Sequence, residues 1–229
     1  MIWRLIQGGL SGPGAPTLLI ELAAIIVVML LCLPFHEFAH AWMAKRMGDN
    51  TAQMHGRLTL DPIKHLDIWG LVMFLAVGFG FAKPVPVNPR NFKNRKKGML
   101  LTSLAGPASN LILSFPLALF AGVAFHVNWR FPSETMELVA VFFAMVLMYN
   151  IFLMVFNMLP IPPLDGFSVL DFFLPPRASL FINQYARVIQ MVFFGLMILG
   201  TFSWIISFFA RPIYRGFLNA AIALVGVFF

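Results

Sequence analysis

Two histidines and a glutamate lie close together within an otherwise apolar stretch. The segment HEFAH, residues 36–40, follows a run from 18 to 35 in which Glu21 is the single charged residue. On a helix, positions i and i+4 share one face, so the imidazoles of His36 and His40 can both reach one metal ion. Glu37 is placed to accept a proton from a water on that metal. The pattern therefore predicts a zinc site with an adjacent general base, because ionisable groups within a membrane span are costly and usually functional.

A catalytic zinc takes three protein ligands and keeps one position open. We expect the third ligand to be Asp165, which ends the apolar run 138–164 in the sequence NMLPIPPLDG at 157–166. The three prolines cannot all continue a helix, so the chain should unwind there and line a buried or water-filled cavity. Taken alone, Asp165 and Gly166 could simply form a turn after a helix. Asp171 is the second candidate ligand, whereas Asp61 and Asp67 are expected to be cap or loop residues.

The elements that would position these groups are predicted from composition. Of the 229 residues, 60% are hydrophobic and 11% are charged, against about 25% charged in an ordinary soluble domain. The net charge of +7 has its basic residues clustered between apolar runs, which favours the positive-inside pattern of cytoplasmic loops over nucleic-acid binding. The single cysteine, Cys32, rules out an internal disulfide. We therefore expect one all-α, polytopic membrane helix bundle over residues 1–229.

The apolar runs predict five to six membrane segments, since a spanning helix needs about 20 apolar residues. A cleaved signal peptide is not expected, because the first long run lacks a basic leader beyond Arg4 and leads into HEFAH. Gly48 is a stop signal for the helix that carries His36. The basic stretch 83–97 is placed in the cytoplasm. The apolar runs cover residues 18–43, 68–82, 98–128, 138–164, 188–210 and 217–229.

A short strand-like or re-entrant element is expected near residues 52–82. The sequence GRLTL at 56–60 alternates as a strand does, and Asp61-Pro62 would end it. Residues 68–82 are uncharged but glycine-containing, and they are short enough to be re-entrant. Residues 217–229 could span a thin bilayer or lie at its surface. Pro107 and Pro116 should kink the helix over 98–128.

The motifs resemble those of the site-2 protease family of intramembrane zinc metalloproteases. HEFAH at 36–40 and NMLPIPPLDG at 157–166 carry the resemblance, and GRLTLDP at 56–62 and AGPASN at 105–110 are similar to small stand-alone bacterial members. The resemblance implies that His36, His40 and Asp165 bind Zn²⁺ and that Glu37 is the base. It implies that Asn157 is a polar neighbour of the reacting carbonyl. It also implies a multi-pass protein of the cell membrane, in bacteria the inner membrane, with its site toward the cytosol.

The expected function is hydrolysis of peptide bonds in membrane-spanning protein substrates, as in regulated intramembrane proteolysis. The expected partners are the substrate and the lipid bilayer, without nucleic acid. Two alternatives remain at this point. One is a metal transporter or metal sensor with the same ligands, which would not need Glu37 as a base. The other is an inactive, protease-like protein that binds membrane helices.

Overall fold

The computed structural model describes residues 15–67, residue 70 and residues 82–228, and this part of the chain is helical. A π-helical turn, Val28–Cys32, joins the first two helices, and a 3₁₀ turn, Pro89–Asn91, precedes the fifth. The α-helices, numbered here in chain order, are α1 Ala15–Val27, α2 Leu33–Arg46, α3 Thr51–Met54, α4 Pro62–His65, α5 Arg95–Arg130, α6 Glu134–Asn157, α7 Asp165–Phe173, α8 Pro176–Gln184, α9 Ala186–Ile198 and α10 Ser203–Phe228.

The first two helices form one continuous rod that carries the HEFAH segment. Pro34 lies at the start of α2 and has no N–H to donate to the carbonyl one turn earlier. The helix widens just before it, and the Leu33 amide donates to the carbonyl of Val28. Beyond α2, Gly48 adopts a φ of +108°, which an L-residue rarely tolerates. The predicted stop signal is thus confirmed.

The long helices α5 and α6 begin at side-chain caps. The Asn94 side chain accepts a hydrogen bond from the Lys97 amide, and the Ser133 hydroxyl accepts one from the Met136 amide. These bonds satisfy amides that the first turn of a helix leaves without a partner. Helix α5 runs through Pro107 and Pro116 for 36 residues, so neither proline ends it.

The core lies where α1, α5, α6 and α10 meet. Its buried members include Ala118, Leu147 and Ile151, with Ala221 from α10. A side chain at Gly122 of α5 would meet the backbone of Ala221 at 3.0 Å, so the two helices approach closely at that point. This core packs against α5, and α5 also packs on α2.

Two sequence predictions are wrong in this structure. Residues 56–60 form a turn and irregular chain rather than a strand, because no segment in the described part of the chain pairs with them. The Arg57 guanidinium instead donates to the Lys83 carbonyl. The run 188–210 is not one helix: α9 ends, Gly200 adopts a φ of +74°, and α10 then begins and continues through the tail.

The strand-like or re-entrant element near 52–82 is described only in part. Within the described residues there is no strand, only an isolated antiparallel bridge between Leu66 and Ala82. Most of the predicted re-entrant run 68–82 lies outside the described residues.

Three described helical rods are long and apolar enough to cross a membrane: residues 16–46, α5 and α6. A fourth would be counted if α8 and α9, which meet at a 63° bend, form one span. The predicted all-helical membrane architecture is confirmed at this level. The larger count of five to six segments stays a prediction.

Candidate metal centre

Both histidines of the HEFAH segment point from α2 toward one spot. His36 is 2% exposed and His40 8%. Their Nε2 atoms lie 3.0 Å apart, and the rings meet edge to face with centroids at 4.6 Å. This arrangement follows from their spacing of one helical turn.

The unwound proline-rich segment brings Asp165 to the same spot, as its sequence predicted. Helix α6 ends at Asn157, residues 158–164 form turns, and Asp165 begins α7. A side chain at Gly166 would come within 2.5 Å of the Leu159 carbonyl oxygen, so only glycine allows this turn to pack on the end of α6. The Asp165 Oδ2 atom lies 3.3 Å from His36 Nε2 and 3.2 Å from His40 Nε2.

The opposite ring nitrogens are held by α5. His40 Nδ1 lies 2.7 Å from the carbonyl oxygen of Thr102, and His36 Nδ1 lies 2.8 Å from Oδ1 of Asn110. Both partners are oxygens that only accept, so each Nδ1 must carry the hydrogen. In the neutral form that can bind a metal, each ring then directs the lone pair of Nε2 toward Asp165.

With both rings neutral, three electron-pair donors converge here without a hydrogen between them. In that form no hydrogen-bond donor among the described residues reaches the buried Oδ2 of Asp165. Three lone pairs held 3.0–3.3 Å apart repel one another unless a cation lies among them. A tetrahedral zinc with ligand distances of about 2.0–2.2 Å separates its ligand atoms by roughly 3.3–3.6 Å. The donor set and spacing fit zinc.

Gly106 of α5 keeps the space beside this cluster open. A Cβ there would lie 2.6 Å from Cε1 of both His36 and His40, and closer still to Nε2 of His40. The glycine in the AGPASN sequence is thus explained by close approach of α5 to the two rings. No other residue type would leave both imidazoles in place.

Glu37 is buried beside the histidines and is hydrogen-bonded to a segment 48 residues further along the chain. It is 8% exposed, and its Oε2 accepts a hydrogen bond from the Val85 amide at 3.1 Å. Val85 lies in the irregular stretch 82–88 that leads to the basic run. One carboxylate oxygen is therefore oriented by the backbone.

The stretch that holds Glu37 is itself anchored by Asp49, just past the end of α2. Asp49 accepts hydrogen bonds from the Asn88 amide at 2.7 Å and from Nδ2 of Asn91 at 2.7 Å, and also from Thr51. Burial acts to raise the pKa of Asp49, but these hydrogen bonds to the carboxylate outweigh it and lower the pKa overall. The ionised carboxylate thus fixes the stretch near Glu37.

The remaining sequence candidates occupy other positions. Nδ2 of Asn157 donates to the Leu153 carbonyl of its own helix at 2.9 Å. Asp171 lies six residues along α7 from Asp165 and is not among the convergent donors. Asp61 caps α4 by accepting from the Ile63 amide at 3.0 Å, which confirms its predicted role as a cap.

The sequence alone predicts no role for Thr102 and leaves the role of Asn110 open. The contact from Thr102 is made by its backbone carbonyl, which no side-chain pattern reveals. One feature of the sequence did mark Asn110 as a candidate: it is an amide in an apolar run, within the AGPASN motif. Its partner His36 is 74 residues away in the chain, so the pairing became visible only in the folded structure.

Fold and site together define a helical membrane protein with a buried two-histidine, one-carboxylate metal centre and a neighbouring glutamate. The amino-acid sequence also matches a known protein family. Residues 24–135 and 124–200 match Peptidase family M50. The chain belongs to this family.

Bacterial relatives match most of the chain. It is 39% identical over 180 residues to "Putative zinc metalloprotease YwhC" of Bacillus subtilis, covering 74% of this chain and 79% of that protein. It is 33% identical over 178 residues to "Putative zinc metalloprotease Rip2" of Mycobacterium tuberculosis H37Rv, covering 74% and 66%. The Rip2 protein of Mycolicibacterium smegmatis is 35% identical over 158 residues, covering 66% and 57%. No solved structure matches the chain significantly.

Proposed function

We propose that this chain is a zinc endopeptidase of the site-2 protease type, which cuts membrane-spanning proteins within the bilayer. The observation that carries the proposal is the convergence of His36 Nε2, His40 Nε2 and Asp165 Oδ2 to within 3.3 Å of one another. Membership of Peptidase family M50 and the names of the relatives support it.

His36, His40 and Asp165 would hold the zinc. When bound, zinc acidifies a water molecule and polarises the carbonyl of the peptide bond. Glu37 accepts the proton that the attacking water loses and delivers it to the leaving amine. The Val85 amide holds Oε2 of Glu37 at 3.1 Å, so the carboxylate is oriented before the substrate arrives. Asn157 is proposed to donate a hydrogen bond to the developing oxyanion. Its Nδ2 donates one N–H to the Leu153 carbonyl and has a second N–H for this role.

The depth of the site supports a substrate within the membrane. His40 and His36 precede Lys45 by five and nine residues, which correspond to about 8 and 14 Å along a helix. Both lie in the apolar rod 16–46. A substrate helix would have to unwind locally, because its carbonyls otherwise accept bonds within the helix. Helix-breaking residues near the cleavage point should therefore favour cleavage.

The distribution of positive charge supports a site that faces the cytosol. The end of α2 near the histidines carries Lys45 and Arg46, and α5 begins nearby with Arg95, Lys96 and Lys97, all of them exposed. Cytoplasmic flanks of spanning helices are enriched in such residues. With α8–α9 and α10 also crossing, the bundle would have five segments, the lower end of the five to six that the apolar runs predict.

Elemental analysis of protein purified without a metal-affinity tag tests the metal centre. We expect about one zinc per chain in the wild type and none in a His36→Ala, His40→Ala double variant. His55→Ala is the matched control, since His55 is exposed, binds the Thr51 carbonyl and should leave zinc unchanged. Chelation should stop cleavage of a membrane-spanning peptide, and added zinc should restore it. Zinc-free wild type, or full zinc in the double variant, would overturn the proposal.

A further inference from the structure

A fully buried hydrogen-bond network lies behind His36 and has no part in the proposed chemistry. It consists of Asn110 and Ser114 on α5 and Asn150 on α6, and each of the three is 0% exposed. Polar side chains in apolar spans commonly serve to join helices. This network does so, but one end of it also reaches a proposed zinc ligand.

The orientation of the Asn150 amide is fixed by a backbone oxygen. Nδ2 of Asn150 lies 2.8 Å from the carbonyl oxygen of Asn110, and a carbonyl can only accept a hydrogen bond. The nitrogen must therefore face that carbonyl. It also lies 3.0 Å from Oγ of Ser114. Consequently Oδ1 of Asn150 faces the side chain of Asn110 and accepts from its Nδ2 at 3.0 Å.

The orientation of Asn150 in turn fixes the orientation of Asn110 toward the metal centre. Because Nδ2 of Asn110 is committed to Asn150, its Oδ1 faces Nδ1 of His36 at 2.8 Å. An oxygen that only accepts requires the hydrogen to be on Nδ1, and a neutral imidazole carries one N–H. The lone pair of His36 Nε2 is then directed at Asp165. A reversed Asn110 amide would present N–H groups to His36 and favour the ring form that cannot bind zinc through Nε2.

We propose that Asn110 is a positioning residue that selects the zinc-binding form of His36, and that Asn150 positions Asn110. His40 needs no such device, because the Thr102 carbonyl that holds its Nδ1 cannot reverse. The proposal rests on the zinc function proposed above. Partners of this kind behind a metal ligand are typically worth about 10- to 100-fold in metal affinity.

Zinc affinity, measured by competition with a chelator on the detergent-solubilised full chain, tests the proposal. Asn150→Leu and Asn110→Leu should weaken zinc binding by about 10- to 100-fold. Asn110→Asp keeps an oxygen toward His36, and its other oxygen, when protonated, can donate to Oδ1 of Asn150; its zinc affinity should stay within a few-fold of the wild type. Ser114→Ala is the matched control: it removes two hydrogen bonds from the same network, yet Asn150 keeps its bond to the Asn110 carbonyl. Its zinc affinity should not change.

A second readout avoids both zinc and activity. Nitrogen-15 NMR of labelled histidine in the metal-free protein distinguishes the ring nitrogen that carries the hydrogen. The signals of His36 are assigned because they are absent from the spectrum of His36→Ala. They should show the hydrogen on Nδ1 in the wild type and in Ser114→Ala. His36 should populate both forms in Asn150→Leu. A purely structural role would lower the unfolding temperature of Ser114→Ala and Asn150→Leu alike, without moving the nitrogen signals.

The outcomes separate this inference from the proposed function. If the wild type binds no zinc, the proposed function fails. If the wild type binds zinc and Asn150→Leu binds it equally well, the inference alone is overturned. Should Asn150→Leu not fold, the two Asn110 variants decide: equal zinc affinities for Asn110→Asp and Asn110→Leu would overturn the inference, whereas retention by Asn110→Asp alone would support it.

Discussion

A single methyl group added to α5 should displace the two histidine rings and weaken zinc binding. In Gly106→Ala the new Cβ would lie 2.6 Å from Cε1 of both His36 and His40. Ordinary contacts between carbon atoms are about 3.5–4.0 Å, so the rings must retreat by about 1 Å. His40 cannot retreat freely, since its Nδ1 is held by the Thr102 carbonyl at 2.7 Å.

The expected magnitude follows from that overlap. Zinc sites tolerate deviations of about 0.2 Å in ligand distance, which is much less than the required displacement. Forcing an additional methyl into a packed interior costs about 1–3 kcal/mol. If the strain falls on the zinc-bound state, zinc affinity drops by about 5- to 150-fold, at 1.4 kcal/mol for each factor of ten.

Chelator competition on purified Gly106→Ala measures this loss directly. Gly195→Ala is the control, because Gly195 lies within α9 and a Cβ there would meet nothing within 4 Å. That variant should keep wild-type zinc affinity and gain slightly in helix stability. Wild-type zinc affinity in Gly106→Ala would show that the two rings do not lie against α5 as described.

Two further predictions concern the basic stretch and its orientation. Asp49→Asn should destabilise the protein by about 1–3 kcal/mol at neutral pH. The wild-type carboxylate has a lowered pKa in the folded state, so its contribution is present above the unfolded value of about 3.9 and is lost as the pH falls below it. The gap between the unfolding curves of variant and wild type should therefore close below about pH 4; a gap independent of pH would contradict this role. For topology, single cysteines at Lys93 and Phe131, in a Cys32→Ala background, should be labelled from opposite sides of the membrane. Labelling of both from one side would refute the proposed orientation.

The convergence of the three proposed metal ligands could be predicted from sequence because its constraints are local. His36 and His40 share a helical face, and Asp165 follows prolines that must end a helix. The path of the chain between them could not be predicted in the same way. Residues 56–60 alternate as a strand does, but a strand also needs a partner, and alternation carries no information about one.

The break after α9 and the network behind His36 escaped prediction for different reasons. An apolar run gives the same hydropathy whether it is straight or broken, and Gly200 was the one weak signal of a turn. Asn110 and Asn150 look like any amides in apolar helices. Their separate roles depend on which atom faces a backbone carbonyl, and that is decided by packing between α5 and α6.

Cleavage by Glu37→Gln tests the central claim most directly. Glutamine keeps the size of glutamate but cannot accept a proton, whereas Asp165→Asn replaces a ligand. Both variants, with the wild type, would be purified, assayed for zinc and mixed with a membrane-spanning peptide that contains a helix-breaking residue. We expect Glu37→Gln to retain zinc and to cleave at least about 100-fold more slowly, and Asp165→Asn to lose both zinc and activity. Wild-type cleavage by zinc-loaded Glu37→Gln would contradict the proposed mechanism.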